Sequence, residues 1–426
     1  MLLIKKGRVI DPANKRDEIA DVLIDDGKIT AIEKEIPATK DMRVIEAKDY
    51  IVAPGLIDNH VHFRDPGLTY KEDLETGANA AKAGGFTSVV CMANTSPVVD
   101  NVATLKDILK RSQALPIHVY QCATVTKGMQ GKELADLAAL KEAGAIGFTD
   151  DGVAIQNERV MLEAMKVAHA LDMPISLHEE DRELMDFAGV NAGKVADALG
   201  LKGATHLAEE TLTARDSLFA KETGCRIDIQ HLSSGTAVDI IRFMKSLGAD
   251  VWGEVTPQHL FLTEEAVLKK GALAKVNPPL RTEEDRQKLI AGLCDGTIDM
   301  IVTDHAPHAD YEKDKGIKNG APSGMIGLET SLAIALTALV KTGYMTISAL
   351  LEKMTINPAR YYKMDAGTLT LGKAADLVIF DPKEEWTITL DDFYGKSKNS
   401  PFVGTKVLGR VKYTICDGQI VFTQKK

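Results

Sequence analysis

The chain's 426 residues exceed one ordinary domain, and an apolar share of 45% is ample for a sizeable core; an α/β barrel by itself can take about 250 residues or more. The net charge of −10 comes from interspersed acidic and basic residues, which argues against nucleic acid or an anionic membrane as partner. Five widely spaced cysteines with no CxxC pair fit a reducing cytoplasm; residues 1–8 carry too short an apolar run for a signal peptide, and residues 332–340 are too few to span a bilayer.

Residues 2–5, 21–24 and 28–32 alternate or run apolar and predict short strands, with Asp25-Asp26-Gly27 as a hairpin signal. The apolar run 50–57 predicts a buried strand leading into His60 and His62. Side chains two apart on a strand face the same way, so the two imidazoles form half of a divalent metal site, with Val61 turned away. Further strand-like runs follow at 87–92, 117–123, 145–149, 174–178, 226–232, 250–255 and 300–303. Between them lie stretches of helical periodicity such as 157–171 and 235–247. Eight such units predict an α/β fold, a (β/α)8 barrel with its active site at the carboxyl ends of the strands. No GxGxxG or P-loop pattern opens a helix, which disfavours a doubly wound sheet. Strand signals return at 375–381 and 411–415, so the two chain ends are expected to form one small discontinuous β-sandwich. The expected division is residues 1–53 with 366–426 for that domain, and 54–365 for the barrel.

The barrel reading predicts that chemistry-bearing residues gather where the apolar runs stop. The first strand ends in His60, His62 and Arg64, and the second is followed by Asn94. The fourth ends in Asp150-Asp151-Gly152, the fifth in His178-Glu179-Glu180, the sixth in His231, and the eighth in Asp304-His305-Ala306-Pro307-His308. Singly, each reads as a turn or a satisfied histidine. On one rim they supply four imidazoles and two carboxylates, a donor set suited to two borderline divalent ions, zinc foremost, sharing a bridging carboxylate. Strand geometry leaves Asp150 and Asp151 equally placed for that bridge. His118, His169 and His206 read as structural or surface residues, and His259 stays open.

With those residues in place, the chain resembles the short, bacterial-type dihydroorotases of the amidohydrolase superfamily along essentially its whole length. Two signatures carry the likeness: Asp58-Asn59-His60-Val61-His62-Phe63-Arg64-Asp65-Pro66-Gly67, and Thr303-Asp304-His305-Ala306-Pro307-His308 followed by Lys313. The resemblance implies one zinc on His60, His62 and Asp304, a second on His178 and His231, and Asp151 as the bridge. Many members of the superfamily bridge with a carboxylated lysine after the fourth strand; Gly147-Phe148-Thr149-Asp150-Asp151-Gly152 has none, as in the short dihydroorotases. It also implies substrate contacts from His62, Arg64, Asn94, Asn277, His308, Pro322 and Ser323, within reach of a lid at 309–324. A substrate carboxylate needs a charged partner, and Arg64 is the expected one; allantoinase-like and hydantoinase-like relatives, the rival reading, lack it. The implied activity is reversible, zinc-dependent interconversion of dihydroorotate and N-carbamoyl-aspartate, with Asp304 as the proton shuttle. A cytoplasmic homo-oligomer, associating with aspartate transcarbamoylase, is the accompanying expectation. A metal-free scaffold is the non-enzyme rival, and the complete ligand set argues against it.

Overall fold

A computed structural model describes residues 1–424. Five strands open the chain: β1 (Leu2–Asp11), β2 (Arg16–Asp25), β3 (Lys28–Glu33), β4 (Arg43–Glu46) and β5 (Ile51–Pro54). Seven follow in the middle: β6 (Leu56–Val61), β7 (Phe86–Cys91), β8 (His118–Gln121), β9 (Ile175–Leu177), β10 (Ile227–Ile229), β11 (Val251–Val255) and β12 (Met300–Ile301). Three close it: β13 (Leu377–Thr387), β14 (Lys406–Cys416) and β15 (Gln419–Thr423).

The middle strands close a parallel ring. β6, β7 and β8 pair in order, as do β9, β10, β11 and β12. Phe148 bridges Ala123 on one side and Ile175 on the other, and Val61 bridges His305. The fourth stave, expected over 145–149, is thus a pair of bridges at Phe148 and not a full strand. Its backbone is still spent on both neighbours: the Thr149 N–H donates to Ala123 O at 2.9 Å on one side, and the Phe148 N–H donates to Pro174 O at 3.1 Å on the other. Eight staves and intervening helices make the (β/α)8 barrel. β6 and β7 are buried at every position, as strands covered on both faces must be.

The helices start where a side chain can accept from their free N–H groups. Asn157 caps Glu158–Ala170, Ser234 caps Gly235–Ser246, and Thr282 forms a reciprocal box with Asp285 at Glu283–Asp295. Their apolar stripes, such as Met161, Ala164, Met165 and Ala168, join one continuous barrel core.

Both chain ends build a single eight-stranded sheet, ordered β15-β14-β13-β5-β1-β2-β3 with β4 on β1. β1 pairs with β4 through Leu2–Lys5 and with β5 through Arg8 and Val9, with a register break between Ile4 and Gly7 against β2. The sheet therefore forks along β1, and its apolar faces enclose a separate core that includes Ile4, Val22, Ile29, Val52, Leu377 and Ile379. β5 runs straight into β6, so the sheet is anchored directly beneath the strand that carries His60 and leads into His62.

Candidate metal centre

His60 is fully buried near the end of β6, and His62 lies just beyond it on the same rim. Three site residues sit in the left-handed backbone region: Arg64 at φ +59°, His231 at +34° and Asp304 at +46°. Such conformations cost on the order of 1–3 kcal/mol each and persist only where packing over-determines them. Here each turns the chain sharply at a strand end and aims its side chain into the mouth of the barrel.

Four imidazoles converge on Asp151. The His60 Nε2, His178 Nδ1 and His231 Nε2 atoms lie 3.5, 3.5 and 3.6 Å from Asp151 Oδ1. His62 Nε2 lies 3.4 Å from Asp151 Oδ2 and 3.0 Å from Asp304 Oδ1. The donors fall into two groups sharing one carboxylate: His60, His62 and Asp151, and Asp151, His178 and His231.

Outer partners set which ring nitrogen faces inward. The His60 Nδ1–H donates to Glu254 Oε1 at 2.6 Å, the His62 Nδ1–H to Asn94 Oδ1 at 2.9 Å, and the His178 Nε2–H to Glu180 Oε2 at 2.8 Å. Each turns the opposite ring nitrogen toward the centre, as metal ligation requires. His60 Nε2 is buried with no hydrogen-bond partner. His178 Nδ1 and His231 Nε2 stand 2.8 Å apart, close enough to share a proton that a cation would displace. A buried orphan nitrogen, a nitrogen pair facing one carboxylate, and neutralising carboxylates fit a divalent-metal centre.

The electrostatics agree. Burial raises the Asp151 carboxyl, but the His60 charge and the surrounding His178 and His231 imidazoles outweigh it and hold it well below the usual range. Burial also works against ionised Asp304, and its bond to His62 with the neighbouring imidazoles wins, so this carboxyl too is lowered. Asp150 is committed elsewhere: Oδ1 accepts the Val125 and Thr126 N–H groups at 2.8 and 3.1 Å, and Oδ2 accepts the Thr126 hydroxyl. Burial pushes its carboxyl to about 6 despite those bonds. Asp58 accepts the His60 and Thr303 N–H groups and ties the first stave to the eighth.

A cavity of about 230 Å³ opens above the centre, lined by Arg64, Asn94, Asn277, His308 and Ser323 beside the histidines and carboxylates. Arg64 Nε donates to Pro307 O at 3.3 Å. Among the described residues no carboxylate lies within ion-pair distance of its guanidinium, which burial holds below its usual pKa. His308 Nε2–H donates to Ser323 O at 2.8 Å, and Nδ1 accepts from Lys71 at 3.3 Å. Burial, with Arg64, Lys71 and Lys313 nearby, pushes the His308 imidazole down to about 2, so the ring is neutral. Gly324, at φ +128°, permits this close approach, since a Cβ there would meet Ala306 Cβ at 2.7 Å. Pro322 does not line the cavity; its carbonyl accepts from Lys313 Nζ at 2.8 Å, which secures the segment that carries Ser323.

These features admit a narrow class of relatives, and the comparisons agree. Residues 51–421 match the model of the Amidohydrolase family. A dihydroorotase of Clostridioides difficile (strain 630) is 53% identical over 99% of this chain and 100% of its own length. This chain belongs to the amidohydrolase family, among the dihydroorotases. A dihydroorotase of Clostridium acetobutylicum is 52% identical over 100% of both chains. Among solved structures, the L-hydantoinase (dihydropyrimidinase) of Arthrobacter aurescens superposes with a TM-score of 0.90 at 27% identity, covering 100% of this chain and 96% of that one. A dihydropyrimidinase of Brevibacillus agri NCHU1002 shares the fold at a TM-score of 0.87.

In this amidohydrolase the sequence reading overlooked Glu254, Glu180 as a partner of His178, and Lys71. Glu254 had a detectable signal: it is a lone charge in the otherwise uncharged strand Val251–Val255. His259 is buried; its Nε2–H donates to Pro278 O at 3.1 Å and its Nδ1 accepts from the Thr256 hydroxyl at 2.7 Å, a packing role behind the site.

Proposed function

We propose that His60, His62 and Asp304 hold one zinc ion and His178 and His231 another, with Asp151 between them, and that this centre interconverts dihydroorotate and N-carbamoyl-aspartate in pyrimidine synthesis. Metal dependence and cyclic-amide hydrolysis follow from the family; the identity and number of the ions are our reading of the donor set. When bound, such ions lower the pKa of water from about 15.7 to about 7 and polarise a carbonyl.

The protein's own groups do the rest. Arg64 pairs with the substrate carboxylate, with Asn94, Asn277, His308 and Ser323 as further polar contacts around the ring and Pro322 backing them. Asp304 Oδ1 faces His62, while Oδ2 accepts from no protein donor among the described residues. That oxygen takes the proton from the attacking water as its oxygen adds to the ring carbonyl, then delivers it to the ring nitrogen as the C–N bond breaks. Cyclisation runs the same transfers backwards. His308, neutral and with both ring nitrogens engaged, orients and does not exchange protons.

The observation that carries the assignment is the half-buried Arg64 guanidinium, without a carboxylate partner among the described residues, facing the proposed metal ligands across a cavity sized for one small ring. Purified protein assayed side by side with dihydroorotate, allantoin and hydantoin tests it: dihydroorotate alone should turn over efficiently, and a preference for either uncharged ring would overturn it.

The domain division at residues 53/54 and 365/366 is supported by the separate apolar core of the terminal sheet. A cytoplasmic location is supported by five free cysteines, four of them buried; among the described residues no helix is long and apolar enough to cross a membrane. Homo-oligomerisation and association with aspartate transcarbamoylase rest on the family resemblance.

A further inference from the structure

At the opposite end of the barrel from the catalytic rim, three potential ligands from three strands meet. His118 begins β8, Asp376 immediately precedes β13, and Cys416 ends β14. Their donor atoms all lie within 4.8 Å of one another. His118 Nε2 is 3.1 Å from Asp376 Oδ2 and 3.7 Å from Asp417 Oδ1, which follows Cys416 in the turn to β15. The backbone reinforces this arrangement: the Asp417 N–H donates to Asp376 Oδ1 at 2.8 Å, fixing the carboxylate beside the thiol. Cys416 is 4% exposed, and its thiol reaches Thr87 O only at 3.9 Å, a weak contact. The cluster opens onto a surface groove of about 440 Å³ that His118, Cys416 and Asp417 help line, so an ion has a way in.

We infer that His118, Asp376 and Cys416, with Asp417 as a fourth donor, form a second kind of metal site, a thiolate-containing zinc site that clasps the terminal sheet to the barrel. One imidazole, one thiolate and two carboxylates make a borderline-soft set, suited to zinc or cobalt and poorly to magnesium or calcium. Ligand atoms around a tetrahedral zinc stand roughly 3.3–3.8 Å apart, so the cluster needs to tighten only modestly. Its ligands come from β8 on the barrel side and from β13 and the β14–β15 turn on the sheet side, so occupancy would cross-link the two. Burial and the adjacent Asp376 and Asp417 carboxylates push the Cys416 thiol up, so metal uptake there would release a proton and strengthen with pH.

The catalytic centre contains no cysteine, so a thiolate-to-metal signal separates the two sites and does not depend on the proposed activity. Full-length protein stripped of metal and reloaded with cobalt should show a near-ultraviolet thiolate-to-cobalt charge-transfer band. Cys416→Ser should abolish the band and lower the metal bound by one equivalent, while Cys294→Ser, which removes the exposed thiol, should leave both unchanged. His118→Asn, at a half-exposed side chain, should weaken cobalt binding at this site at least tenfold. Dihydroorotate turnover at saturating zinc should stay near that of the parent in all three. Absence of the band in the unmodified protein, or its survival in Cys416→Ser, would overturn the site and leave the cluster as a His118–Asp376 ion pair.

Discussion

Glu254 Oε1 accepts the His60 Nδ1–H at 2.6 Å and also the backbone N–H of His231 at 3.1 Å. One buried carboxylate oxygen thus orients a proposed ligand from each half of the cluster. Removing its charge should loosen both. Outer partners of ligating histidines typically contribute 10–100-fold in metal affinity or activity. Glu254→Gln should therefore weaken zinc binding by about that factor, measured by competition with a chromophoric chelator, with the fold intact by circular dichroism. Unchanged affinity would make Glu254 a packing residue only.

Arg64→Met separates reading the substrate from the chemistry. A desolvated substrate carboxylate without its partner loses about 2–5 kcal/mol. At about 1.36 kcal/mol per decade, kcat/KM for dihydroorotate should fall roughly 30- to several-thousand-fold. Zinc content should hold, because Arg64 is no ligand of the centre. Near-normal activity would move carboxylate recognition to another group.

Asp304→Asn keeps the shape and one oxygen but cannot cycle a proton. Turnover should drop about 10²–10⁴-fold, the usual span for general acid–base catalysis. Metal content should be largely retained, and the limb of the hydrolysis pH profile that Asp304 supplies should vanish. His308 offers no substitute limb, since its pKa is pushed down to about 2. A variant with the parent's profile would exclude Asp304 as the shuttle.

The clustering of these side chains was legible because each stands where an apolar run stops, and the two-residue spacing of His60 and His62 puts both on one rim at the end of β6. Strand geometry left Asp150 and Asp151 open and only the family motif favoured Asp151; in the folded chain Asp150 is consumed by Val125 and Thr126. The fourth stave looked like a strand at 145–149 since Ala145, Ile146 and Phe148 are apolar, yet only Phe148 pairs on both sides. Glu254 was not singled out, since period-2 alternation cannot tell a face toward water from one toward a buried imidazole. The forked terminal sheet was visible as β-rich ends, but its strand order depends on the pairing of β5 with β13, where Ile51 sits opposite Phe380 from the far end of the chain.

The metal-free protein should lose stability as pH rises. Burial opposes charge on His178, but its bonds to Asp151 and Glu180 prevail and raise it to about 10. A raised folded-state pKa gives stability that is complete below the unfolded value of about 6.5 and is lost as pH climbs through the folded one. Chelated protein should therefore show a falling midpoint of thermal unfolding between about pH 6.5 and about pH 10. Zinc-loaded protein should not, because the ions replace those protons, and zinc affinity should rise over the same window. Parallel curves for the two forms would contradict this account of His178.

Titrating the metal-free Cys416→Ser protein with zinc, while following dihydroorotate hydrolysis, tests the central claim most directly. The background removes the thiolate site, so every equivalent taken up reports on the rim of the barrel. The account predicts that activity on dihydroorotate rises with zinc and reaches its plateau at two equivalents per chain. Full activity without metal, or a plateau at one equivalent that His178→Ala and His231→Ala leave unchanged, would contradict it.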